Sequence, residues 1–281
     1  MTRTETGEFQ GNGGRVFWQA WLPEGEPRAV AVIVHGYAEH SGRYAHVAGR
    51  LNDAGIAAYA LDHIGHGRSD GGVNANIESA DAAADNVATM LSTAARRHPG
   101  LPKFLIAHSM GGLITAYLAT RAPLDVTGIA LSAPAVDIDT GNAVQKLVAP
   151  LLSRFTPNLP VLKIDSKLVS RDPEVVRAYD ADPLNYHGGA PARTATEMLK
   201  AGDFVKAHAS QLTAPLLVQQ GTADGLVSIT SSDVLEQGAG SKDKTVLRYD
   251  GLYHEIYNEP EQDKVLTDLV NWLDAHIPAA G

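Results

Sequence analysis

The sequence predicts an α/β fold: a mostly parallel central sheet with helices on both faces and an inserted helical lid. Three observations predict it. Short apolar runs of strand composition alternate with helical stretches. The runs at residues 29–34 (AVAVIV) and 56–61 (IAAYAL) are almost wholly apolar, as strands buried on both faces of a parallel sheet must be. Between Ala135 and about Thr213 the strand rhythm stops, which marks an insertion.

Taken in order, residues 15–21 (RVFWQAW) are aromatic and β-branched and predict an early strand, and 23–28 a turn. The strand at 29–34 ends in His35-Gly36-Tyr37-Ala38-Glu39-His40. Residues 44–54 carry apolar side chains at helical spacing. The strand at 56–61 ends in Asp62-His63-Ile64-Gly65-His66-Gly67-Arg68-Ser69. An alanine-rich helix over 80–97 leads to a further strand at 104–107, and 127–131, 215–219 and 245–249 also have strand composition. A last helix is expected over 263–276. In the insertion, Val144, Leu147, Val148, Leu151, Leu152 and Phe155 recur at i, i+3, i+4, i+7, i+8, i+11, the apolar face of an amphipathic helix that Pro150 should kink. A core helix gives the same periodicity; the position between strands favours a lid. The expected division is a core of 1–135 and 214–281 with a cap at 136–213.

At 281 residues and 44% hydrophobic, the chain fits one α/β core plus an insertion. The net charge of -9 and the lack of a Lys/Arg run argue against nucleic acid as partner. The lack of cysteine excludes disulfides and thiol catalysis. Residues 1–14 are polar and glycine-rich, without the apolar stretch of a secretory signal, and no apolar run approaches the roughly 20 residues of a bilayer span. The expectation is a cytoplasmic protein that can touch a membrane peripherally. An exposed apolar lid would favour that contact, or a homodimer.

The chemistry centres on Phe104-Leu105-Ile106-Ala107-His108-Ser109-Met110-Gly111-Gly112. A serine between a buried strand and a packed helix is a nucleophile elbow, whose tight turn asks for small residues two places either side. Here these are Ala107 and Gly111. Serine is also a good helix N-cap, so the stretch alone leaves both readings open. In elbow hydrolases an acid and then a histidine follow the serine along the chain. Asp224 follows the strand at 215–219, and His254 follows that at 245–249. Ser109 is therefore the expected nucleophile, His254 its general base, and Asp224 the group that orients the imidazole. A turn aspartate and a surface histidine are the plain alternatives; the required order of all three decides against them. Asp250 and Glu255 are rival acids set too close to His254 in sequence, and His208, in the insertion, and His276, in the last helix, are the rival histidines. The oxyanion donors should be the backbone N–H groups of Met110 and Tyr37. His35, His40, His63 and His66 with Asp62 would suit zinc, yet buried neutral histidines holding loops by hydrogen bonds explain them better; neither metal nor cofactor is expected. Gly65–Ser69 lacks the ending of a phosphate loop.

These residues resemble the monoacylglycerol lipases, bacterial and mycobacterial members included. The likeness lies in His35 through Tyr44 (HGYAEHSGRY), Asp62 through Ser69 (DHIGHGRS), His108 through Gly112, Ser170 through Glu174, Tyr179 through Leu184, and Tyr249 through His254. The resemblance implies an α/β-hydrolase with a lid that cleaves monoacylglycerol to glycerol and fatty acid without a cofactor. It implies Glu39, Arg43 and Tyr179, with His108, as substrate-binding residues near the ester; a surface ion pair and a packed tyrosine are the alternatives. Three positions depart from the pattern: Ala107 for glycine, Gly225 where a larger residue is common, and Tyr37 where a smaller one is. The competing functions are a lysophospholipase or general carboxylesterase and, from another class, an inactive hydrolase-fold module that binds lipid.

Overall fold

The computed structural model describes residues 3–138 and 152–278. Its main sheet has eight strands: β1 (Arg3–Gly11), β2 (Gly14–Leu22), β3 (Ala29–Val34), β4 (Ile56–Leu61), β5 (Lys103–His108), β6 (Gly128–Ser132), β9 (Leu216–Gly221) and β10 (Lys244–Tyr249). Their spatial order is β1-β2-β4-β3-β5-β6-β9-β10. β1 and β2 run antiparallel to their neighbours and all other pairs are parallel. A short antiparallel ribbon, β7 (Pro160–Leu162) with β8 (Ala190–Pro191), stands apart.

The all-apolar strands are buried on both faces, as their composition requires. Val30, Val32 and Val34 of β3 face one core cluster with α2 (Ala80–Arg97) and α3 (Ser109–Arg121). Ala29, Ala31 and Ile33 face the other, with α1 (Ala45–Asp53) and the last helix, α7 (Gln262–His276). Because β4 lies on one side of β3 and β5 on the other, the strand order reverses there. The loops after β3 and β5 thus open into the crevice where such sheets bind ligands.

One strand of the main sheet goes unannounced in the sequence. β1 occupies the polar, glycine-rich segment in which the sequence predicts no strand, and pairs along its whole length with β2. It is an edge strand with exposed positions along its length, so it lacks the apolar alternation that betrays a half-buried strand. Glu5 and Glu8 on this edge pair with Arg97 and Arg15.

In the expected cap, Val144, Leu147, Val148, Leu151 and Pro150 lie outside the described residues. Leu152 and Phe155 sit on a short helical turn at 152–155, and Phe155 is 73% exposed. The span then forms α4 (Pro173–Ala181) and α5 (Ala192–His208), with α6 (Thr230–Gly238) following after β9. Pro173 starts α4 where its missing N–H costs nothing, behind an Asp172 cap that accepts from Glu174 N. α5 packs on α3 and places Ala201 and Val205 in the core. Among the described residues no helix is long and apolar enough to cross a membrane.

Candidate active site

β5 ends at His108, and Ser109 opens α3 with a φ of 52°. A non-glycine residue is rarely held in that left-handed region, and the conformation turns a strand into a helix within one residue. The two small positions of the turn are unequal. A side chain at Gly111 would run into the carbonyl oxygens of Val34 and His35, so glycine is obligatory there. Ala107, by contrast, lies in β5 between Val34 and Leu131, and its methyl group is part of the core. That departure from the usual glycine is absorbed by packing.

The fold brings together three residues that are distant in sequence. His254 Nε2 lies 2.8 Å from Ser109 Oγ, and His254 Nδ1 lies 2.8 Å from Asp224 Oδ2. Asp224 follows β9, and its Oδ1 accepts from the amides of Leu226 and Val227 at 2.8 and 2.9 Å. Burial pushes this carboxyl upward, but His254 and the two amides outweigh it and hold it below the ordinary carboxylate range. Burial works against the charged form of His254, yet Asp224 raises the imidazole above its ordinary value. A hydroxyl, an imidazole and an orienting carboxylate in this relay can activate an alcohol nucleophile.

The rivals are engaged elsewhere. Asp250 accepts from Thr222 Oγ1 at 3.2 Å. His208 and His276 each bond a carbonyl one helical turn back, those of Phe204 and Trp272. Glu255 grips Arg43, Nη1 to Oε1 and Nη2 to Oε2, both at 2.7 Å.

The loop after β3 is held by side chains that fix its peptide planes. His35 Nδ1 donates to the Gly36 carbonyl at 2.7 Å, while His35 Nε2 accepts from His63 N at 2.9 Å. These two bonds require the neutral imidazole, and burial, with His63 and His66 adding to it, holds the ring well below the ordinary histidine range. Glu39 Oε1 accepts from Gly36 N and Tyr44 Oη, each at 2.6 Å. Among the described residues, neither Tyr37 N nor Met110 N is engaged by another protein group. Asp62, grouped with the histidines as a zinc ligand in the alternative above, accepts from Ser41 N and Arg68 N at 2.8 Å, and His40 Nε2 pairs with Asp182. Both brace the loops.

A pocket opens at Ser109 and His254. Gly36, Tyr37, Glu39, His108, Tyr179 and Glu255 line it together with the apolar Ile164, Val169 and Leu226. Arg43 stands behind this lining, bonded to Glu39 Oε2 at 2.7 Å, with its guanidinium 4.8 Å from the centre of the Tyr179 ring. His108 lies 4.7 Å from His254, ring to ring, and bonds Ser132 Oγ; burial, then His254, lowers it to about 3. The Tyr37 ring packs on the core and on His66, with its hydroxyl buried and unpartnered among the described residues. A Cβ at Gly225 would stand 3.2 Å from Leu168, whose side chain occupies the room a larger residue would need. Glu255 carries no motif of its own; its position directly after His254 is the signal that could have placed it in the pocket.

The Hydrolase_4 family, described as serine aminopeptidase S33, matches residues 25–261. The chain is 43% identical over 278 residues to the monoacylglycerol lipase of Mycolicibacterium smegmatis, covering 98% of this chain and 99% of that protein. The crystal structure of Paleococcus ferrophilus monoacylglycerol lipase superimposes with a TM-score of 0.81 at 30% identity, over 98% of this chain and 99% of that one. A soluble variant of Saccharomyces cerevisiae monoglyceride lipase, in complex with a substrate analog, shares the fold at a TM-score of 0.86 and 21% identity, over 99% and 97%.

Proposed function

This chain belongs to the Hydrolase_4 family of α/β-hydrolases, and from that premise we propose that it cleaves monoacylglycerol to glycerol and a free fatty acid through an acyl-enzyme intermediate. The observation that carries the reading is the unbroken relay Ser109–His254–Asp224 opening into a pocket lined by both polar and apolar side chains.

In this reading His254 takes the Ser109 proton as the hydroxyl attacks the ester carbonyl. The negative oxygen of the tetrahedral intermediate is stabilised by the N–H groups of Tyr37 and Met110. His254 then gives its proton to the glycerol oxygen, and the alcohol leaves. Water, activated by the same imidazole, hydrolyses the acyl-enzyme. Asp224 keeps Nδ1 protonated so that Nε2 can accept, and offsets the imidazolium charge. Neutral His108 beside His254 adds no competing charge. The acyl chain runs past Ile164, Val169 and Leu226, while Glu39, Tyr179 and Glu255 face the glycerol.

The span 136–213 serves as the lid, with α5 as its seat on the core and Ile164, Val169 and Tyr179 as its contribution to the pocket. The exposed Phe155 supports contact of that lid with a lipid interface, which liposome flotation would test.

The decisive experiment is turnover of a monoacylglycerol series, with lysophosphatidylcholine as competitor substrate, by wild type and Ser109→Ala. Turnover of monoacylglycerol that vanishes in Ser109→Ala is the expected result. Equal or faster turnover of lysophosphatidylcholine would move the assignment to the phospholipids, and failure of a fluorophosphonate to label Ser109 would reject serine catalysis.

A further inference from the structure

Beside the serine lies a three-membered charge cluster that the catalytic relay does not use. Arg43 Nη1 is shared between Glu39 Oε2 and Glu255 Oε1, each at 2.7 Å, and Nη2 bonds Glu255 Oε2 at 2.7 Å. The side chains are 11%, 4% and 6% exposed for Arg43, Glu39 and Glu255. Asn258 Nδ2 adds a bond to Glu255 Oε2 at 2.9 Å. Glu39 receives three donors, from Gly36, Tyr44 and Arg43, the pattern of an ionised carboxylate. Two carboxylates thus share one guanidinium, and the cluster carries one net negative charge. The two carboxylates line the pocket while the cation stands behind them.

The leaving alcohol must stand against His254, because His254 Nε2 delivers its proton. Glu255 is the next residue in the chain and forms the same wall. Among the residues lining the pocket, His108 is neutral, and the charge that His254 gains in the reaction is already matched by Asp224. An uncharged polyol meets hydrogen-bond acceptors on this wall. A headgroup ending in a phosphomonoester meets a buried negative charge, with no free cation among the described residues that line the pocket to answer it.

We propose that the Glu39–Arg43–Glu255 cluster is a charge filter on the alcohol side of the pocket, with Glu255 the residue that sets specificity for a neutral leaving group over an anionic one. The filter works by repulsion of the wrong headgroup. It rests on the monoacylglycerol reading above for which ester is cleaved, but not for how charge is sorted.

The test compares 1-oleoylglycerol with 1-oleoylglycerol 3-phosphate, each at low mole fraction in neutral detergent micelles so that the interface is the same. Unit charges a few ångströms apart at the effective dielectric of a protein predict a preference of roughly a hundredfold in kcat/KM for the neutral ester. Glu255→Gln removes the surplus charge and should shrink that preference by roughly tenfold or more. A wild-type preference near unity, or a Glu255→Gln variant that loses both activities by the same factor, would overturn the filter. Should that variant not fold, the wild type still decides: glycerol should inhibit hydrolysis of p-nitrophenyl butyrate, whereas glycerol 3-phosphate at the same concentration should not. Equal inhibition overturns the filter. Hydrolysis of the nitrophenyl ester with none of 1-oleoylglycerol would instead sink the substrate assignment, and the two alcohols would still report on charge.

Discussion

The His35 imidazole donates from Nδ1 to the carbonyl of the residue that follows it, Gly36, at 2.7 Å. That carbonyl belongs to the same planar peptide as the Tyr37 N–H, and in a trans peptide the two point in opposite directions. Fixing the carbonyl therefore aims the amide proposed to stabilise the oxyanion. Glu39 fixes the preceding peptide through Gly36 N.

Replacing His35 with leucine should leave the Gly36 peptide free to turn while keeping an apolar side chain of similar bulk. We expect kcat on a nitrophenyl ester to fall roughly tenfold to a hundredfold, since transition-state stabilisation is what is lost, with little change in KM. Steady-state kinetics beside a thermal melt separates this from unfolding. A KM effect without a kcat effect would show that the loop serves binding alone.

The second prediction concerns pH. In the proposed mechanism the general base works only as neutral imidazole, so kcat/KM should rise as His254 loses its proton. Burial opposes the charged ring, but Asp224 prevails and raises it above 6.5, so the acid limb of the profile should fall above that value. In Asp224→Asn the limb should move to lower pH, and the rate should drop by roughly 10⁴ because the productive tautomer is no longer held. Stability runs by the same linkage. The raised His254 contributes stability below its unfolded value and loses it as pH rises through the folded one; Asp224, held low, contributes above its unfolded value and loses it as pH falls. A pH–rate profile of the two proteins, with urea melts at matched pH, checks both.

The parallel sheet and the relay were legible in the sequence because both leave local marks. Doubly buried strands such as Ala29–Val34 read as unbroken apolar runs, and each catalytic candidate sits just past a stretch of strand composition. β1 was not legible, because an exposed edge strand needs only a partner's backbone, and Thr4, Glu5 and Glu8 give no apolar alternation. Nor was the partnership of Arg43 with Glu255. It joins residues 212 apart, and no spacing rule connects the turn after β3 to the loop after β10. Arg43, expected near the ester, bonds Glu39 and Glu255 and sets its guanidinium 4.8 Å from the centre of the Tyr179 ring.

The elbow predicts opposite outcomes at its two small positions. Gly111→Ala places a methyl group against the backbone oxygens of Val34 and His35, which cannot move without parting β3 from β5. It should abolish soluble folded protein or activity. Ala107→Gly removes a buried methyl from a strand interior; activity should persist within about twofold, with a loss of about 1 kcal/mol in a denaturant melt. If Ala107→Gly raised the rate severalfold, the alanine would be constraining the turn after all.

The last prediction isolates glycerol recognition from chemistry. Tyr179 is 6% exposed and lines the pocket, with its ring set against Arg43, and among the described residues its hydroxyl has no hydrogen-bond partner. It does not hold the loop after β3, which sets it apart from Glu39. Replacing Glu39 would disturb both Gly36 and Arg43, and any effect would mix binding with positioning. Tyr179→Phe deletes one oxygen and keeps the packed ring, so the fold and the cation–π contact should survive. A neutral hydrogen bond is worth about 1 kcal/mol, so KM for 1-oleoylglycerol should rise roughly fivefold, while that for p-nitrophenyl butyrate stays where it is. Parallel rises on both esters would mean that the hydroxyl shapes the pocket as a whole, and glycerol recognition would then have to rest on Glu39 and Glu255.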